Sequence, residues 1–79
     1  MSEAELIDIE RDARDLHDVA QENADTFYQR AEESPNAKGE ARFVRYAEAW
    51  GKVDRVSVAA LHLIDAVRVA NHNKEVPRR

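Results

Sequence analysis

Apolar residues recur every three or four positions along almost the whole chain, and one stretch interrupts them. That stretch is Glu33-Ser34-Pro35-Asn36-Ala37-Lys38-Gly39. Pro35 disfavours helical geometry at Ser34, and Ser34 can then cap a following helix with Pro35 in its first turn. A repeat of three and four residues with a single break is the pattern of two long helices folded back on each other. Composition agrees, with 13 Ala, only two Gly and two Pro, and no strand-length alternation. The predicted fold is therefore all-α. It is an antiparallel hairpin of two long helices in a single domain, with helix 1 at about 3–33, a turn at about 34–39, helix 2 at about 40–72 and a flexible tail at 73–79. Ser2 with Glu5 fits a capping box at the start of helix 1.

The spacing predicts a coiled-coil seam on each helix. On helix 1, Leu6, Ile9, Ala13, Leu16, Ala20, Asn23, Phe27 and Arg30 step alternately by three and four. On helix 2, Phe43, Tyr46, Trp50, Val53, Ser57, Ala60, Ile64, Val67 and Asn71 do the same. Asn23 and Asn71 at seam positions would fix register. Gly51 falls inside the second pattern, where it marks either close packing beside Trp50 or a break into a third helix.

Helix 2 is apolar on more than one face. Between Val56 and Ala70, a single seam cannot cover Val56, Leu61, Leu63 and Val69 together. A helix that is apolar all round is buried all round. One interface is also a thin core for a chain of 79 residues. The simplest cover is a second copy, giving a homodimeric four-helix bundle with Val56, Ala60, Leu63, Ile64 and Val67 at the dimer interface.

Charge is segregated. Residues 1–36 carry 11 acids and 3 bases, and residues 37–79 carry 9 bases and 5 acids. Opposite signs on the two halves favour their pairing, with Glu22, Asp25, Glu32 and Glu33 at the level of Arg42, Arg45, Lys52 and Arg55. On helix 1, Asp8, Asp15, Asp18, Glu22 and Asp25 form an acidic ridge opposite the seam. Such a ridge selects partners by the sign of their charge, which points to a larger, basic protein. Arg42, Arg45, Lys52 and Arg55 form a rival basic strip on helix 2, suited to nucleic acid. The net charge of -4 argues against that use.

No cysteine is present, which excludes a disulfide framework and any thiolate metal site. The residues three before His17, His62 and His72 are Arg14, Ala59 and Val69, so the carboxylate–histidine pairs of di-iron bundles are missing. Ser2 and Ser34 read as caps, and Ser57 lies on the seam with its hydroxyl directed to the carbonyl four residues back. The expectation is a non-enzymatic interaction module without cofactor or metal, acting as an inhibitor, adaptor or regulator. Glu3 and Glu5 stand where an export signal needs positive charge, and Val58–Leu61 is the longest apolar run. Those features predict a cytoplasmic protein with no membrane segment. Nine Arg against three Lys suits a GC-rich bacterial or phage genome.

Overall fold

The computed structural model describes residues 1–75, and the side chain of Glu75 lies outside what it describes. The chain forms two α-helices, α1 at Glu3–Glu33 and α2 at Ala37–Glu75, packed along their length as an antiparallel hairpin. Its dimensions are 67 × 20 × 13 Å. The long axis is essentially α2, since 39 residues at about 1.5 Å each span about 58 Å.

Local chemistry sets the ends of the helices. Ser2 Oγ accepts from the Glu5 amide at 3.2 Å, and the Glu5 carboxylate accepts from the Ser2 amide at 3.3 Å, so the capping box at the first turn is complete. α1 ends where Pro35 forbids helical geometry at Ser34, which is extended, with its amide donating to the Ala31 carbonyl at 3.2 Å. The cap of α2 is Asn36, not Ser34. Asn36 Oδ1 accepts from the Gly39 amide at 2.7 Å, and the Asn36 carbonyl accepts from the Glu40 amide at 3.1 Å. Ser34 Oγ braces the turn by donating to the Asn36 carbonyl at 3.1 Å. The second helix therefore begins at Ala37, at the early end of the expected start, and it continues to Glu75 past the expected end at residue 72. Of the tail expected at 73–79, residues 73–75 are helical and residues 76–79 lie outside the described part.

The two glycines behave differently. α2 runs through Gly51 without a break, and a methyl group placed there would meet nothing within 4 Å. Gly51→Ala is therefore expected to raise stability by about 1 kcal/mol, the ordinary cost of glycine inside a helix. A urea titration with a lower midpoint than the parent would contradict this. A methyl group at Gly39 would lie 2.6 Å from Ser34 Oγ and 3.2 Å from Asn36 Oδ1, so a larger residue there would push aside the two side chains that brace and cap the turn.

The hairpin seam is rotated from the one the spacing suggested. Facing inward on α1 are Leu6, Glu10, Ala13, His17, Ala20, Ala24, Phe27 and Ala31, all buried or half-buried. Facing inward on α2 are Phe43, Ala47, Trp50, Asp54, Ser57, Leu61, Ile64, Arg68 and Asn71. Every seventh residue is common to both versions. The other half of each seam is replaced by the neighbouring row, so Ile9, Leu16 and Tyr46 stand 39%, 40% and 47% exposed. Small side chains at Ala13, Ala20, Ala24, Ala31, Ala47 and Ser57 explain the choice, because they let the helix axes approach closely. Near the turn, Phe27 stacks on Phe43 at a centroid distance of 6.2 Å and meets Tyr46 edge-on at 5.4 Å. Arg30 lies 5.6 Å above the Phe27 ring.

Candidate interaction surfaces

Polar side chains on the inward rows pair across the hairpin. His17 Nδ1 bonds to the Asp54 carboxylate. Ser57 is 1% exposed, and its hydroxyl donates to the Asp54 carbonyl three residues back at 2.7 Å, not to the carbonyl four back. At the open end, Arg68 donates to the Glu10 carboxylate and, at 3.0 Å, to Glu3, while Arg14 holds Glu10 from its other side at 3.4 Å. Asn71 Nδ2 donates to the Met1 carbonyl at 3.1 Å. These bonds fix the hairpin register. The pairing expected of Glu22, Asp25, Glu32 and Glu33 with Arg42, Arg45, Lys52 and Arg55 does not form among the described residues. Both sets point outward, away from the facing helix.

The Arg68–Glu10 pair makes the hairpin sensitive to acid. The hydrogen bond from Arg68 holds the Glu10 carboxyl below its ordinary value of 4.5, with smaller attractions from Arg14 and Arg68 and partial burial acting against them. Glu5 is lowered in the same direction by the Ser2 hydroxyl and backbone. A carboxylate whose pKa is depressed on folding contributes its stability above the unfolded pKa and loses it as pH falls through the folded one. Thermal stability is expected to be level above the ordinary carboxylate value of 4.5 and to drop below it. Glu10→Gln should lower stability at pH 7 and make the acid drop shallower. An acid drop as steep as the parent's would contradict this role for Glu10.

One face of the outer surface is apolar. On α2, Tyr46, Ala49, Val53, Val56, Ala60, Leu63, Val67 and Ala70 follow steps of three and four with no charge among them. Val56 and Leu63 are each 66% exposed, and Ala60 and Val67 are half-buried. Ile64, expected beside them, is 4% exposed and faces α1 instead. Sequence reasoning placed Tyr46, Val53, Ala60 and Val67 on the hairpin seam, counted Ala60 and Val67 at the dimer interface as well, and assigned no role to Ala49 or Ala70. The signal that separates the two rows is polarity, since the inward row contains Asp54, Arg68 and Asn71 and the outer row contains no charge. On α1, the exposed Ile9, Leu16 and Val19 occupy the corresponding flank. Because the helices run in opposite directions, these two flanks fall on the same broad side of the hairpin.

The acidic ridge occupies a different side. Asp8, Asp15, Asp18, Glu22 and Asp25 are all exposed on the face of α1 turned away from α2. Arg11 pairs with Asp8 at 3.4 Å and with Asp12 at 3.9 Å, and the other four ridge acids have no cation within 4.0 Å among the described residues. Arg42, Arg45, Lys52 and Arg55 are exposed on α2 and likewise have no carboxylate that close among the described residues.

Two hollows of about 490 and 330 Å³ lie at the open end and beside Gly51. Among the described residues neither holds a buried polar side chain lacking a partner, and no cluster of three His, Asp or Glu is arranged to hold a metal. No helix of the described chain is long and apolar enough to cross a membrane. Comparisons with protein-family models, curated proteins and solved structures gave no match.

Proposed function

We propose that the chain is a non-enzymatic interaction protein that pairs with a second copy through its apolar side and docks on a larger, basic protein through the acidic ridge. The observation that carries this reading is the separation of the two surfaces. The ridge points away from the apolar side, so a four-helix bundle made by covering that side leaves Asp8, Asp15, Asp18, Glu22 and Asp25 in water on each outer edge. Acidic fields placed in this way speed encounter with a basic partner and exclude acidic ones. An inhibitor, adaptor or regulator with two ridges per dimer would engage such a partner at two points.

The test is charge reversal at Asp15, Asp18, Glu22 and Asp25 to Lys. Capture from native lysate after nuclease treatment should retain a partner on the parent protein and lose it on the reversed one, with unchanged helicity by circular dichroism. The same partner held equally by both proteins would remove the ridge from the account. A second reading rests on the four unpaired cations of α2. If Arg42, Arg45, Lys52 and Arg55 bind nucleic acid, the protein will shift labelled RNA at low salt, and Arg42→Glu with Arg45→Glu will stop it.

A further inference from the structure

The hairpin exposes 6243 Å² of surface at a mass of 9.0 kDa. A compact monomer of that mass exposes about 4,900 Å². The excess is about 1,300 Å² per chain, or about 2,700 Å² for a pair, which is the range of permanent dimers at about 2,000–5,000 Å². A second copy seated on the apolar side is of the right size to remove it.

Resting on the dimer proposed above, we infer its arrangement: α2 lies antiparallel on α2 of the second copy, with the two-fold axis beside Val58. The row from Tyr46 to Ala70 is self-complementary about that point. Tyr46 meets Ala70 of the second copy, Ala49 meets Val67, Val53 meets Leu63, and Val56 meets Ala60. Three of the four pairings set a larger side chain against an alanine, which fills space without voids. Laying α2 on α1 of the second copy instead would press this uncharged row against three charges, Glu5, Asp12 and Arg30, on the corresponding flank of α1, where the arrangement inferred here sets only Asp12 against an apolar residue.

The first helix supplies independent support for the same axis. His17 beside Asp54, Glu3 beside Arg68, and Met1 beside Asn71 set residue 58 level with residues 13–14. The exposed apolar residues of α1 gather at that level and nowhere else on this flank. A two-fold axis there brings Ile9 against Val19 of the second copy and Leu16 against Asp12, whose carboxylate Arg11 holds at 3.9 Å. The overlap covers α2 from about residue 41 onward, so each turn projects beyond the partner. The aromatic cluster of Phe27, Phe43 and Tyr46 sits just inside the overlap, next to the projecting turn.

Nitroxide labels test the arrangement. The chain has no native thiol, so Glu48→Cys, Arg55→Cys, His62→Cys and Val69→Cys each give one label site, all exposed and outside the proposed interface. The axis beside Val58 offsets the two labels along the bundle by about 9 Å at residue 55, about 12 Å at 62, about 30 Å at 48 and about 33 Å at 69, from a rise of about 1.5 Å per residue. Pulsed dipolar spectroscopy should therefore find the shortest distances at 55 and 62, lengthening by about 10 Å or more at both 48 and 69. One common distance at all four sites would overturn this arrangement and keep the dimer, because a two-fold axis parallel to the helices holds every residue level with its copy. No dipolar coupling at any site, with a mass of 9.0 kDa, would overturn the dimer as well.

Discussion

Val56→Asp combined with Leu63→Asp is expected to split the proposed dimer and to melt much of the helix with it. Both residues stand exposed in the isolated hairpin, so inside one chain each change costs only the weaker helix propensity of aspartate, at most about 0.7 kcal/mol. In the four-helix bundle each aspartate enters a row with no charge and no polar partner. An uncompensated charge buried at an interface costs about 3–5 kcal/mol, and the two-fold axis repeats each substitution. At about 1.4 kcal/mol per factor of ten, the dissociation constant should rise by at least about 10⁴-fold. Light scattering at micromolar concentration should report the monomer mass, and helical ellipticity should fall. A hairpin that stays dimeric and fully helical with both aspartates in place would show that this row is not the interface.

The second large effect separates two adjacent leucine-like positions. Ile64 is 4% exposed and packs against α1, while Leu63 is 66% exposed and faces outward. Ile64→Ala should therefore cost about 2–5 kcal/mol through the cavity it leaves, whatever the protein concentration. Leu63→Ala removes almost nothing from the single hairpin. Its cost falls on association, so the unfolding midpoint of that variant should recover as protein concentration rises. The comparison is made by urea titration at two concentrations a hundredfold apart. Equal, concentration-independent losses at both positions would place Leu63 in the hairpin core and empty the outer row of its meaning.

The features read correctly from sequence are those set by neighbours in the chain. Pro35 stops α1 at Ser34 whatever lies around it, and Ser2 with Glu5 closes the first turn without outside help. The helical hairpin follows from one break in a repeat of three and four residues. The seam was harder to read because α2 carries two such rows that share a boundary. One passes through Tyr46, Val53, Ala60 and Val67, and the other through Ala47, Asp54, Leu61 and Arg68. Counting greasy residues favours the first row for the hairpin. The hairpin takes the second, because small residues permit close approach and because Asp54 and Arg68 find His17 and Glu10 at matching levels across it. That pairing involves residues 37 and 58 positions apart, which no local pattern reveals. Ile64, which the spacing placed on both the seam and the dimer interface, belongs to the seam alone, and the rotation brought Ile9, Leu16 and Val19 into view. The acids and bases opposite one another in sequence register stayed apart for the same reason, since level along a rod says nothing of the direction around it.

In the proposed dimer a second copy covers the apolar side of α2. Sedimentation equilibrium on the unmodified chain measures this directly. At micromolar concentration the expected mass is twice 9.0 kDa, about 18 kDa, with the helices intact. A mass of 9.0 kDa with undiminished helicity would mean that one hairpin holds itself together with its apolar row in water, and that would contradict the account at its base.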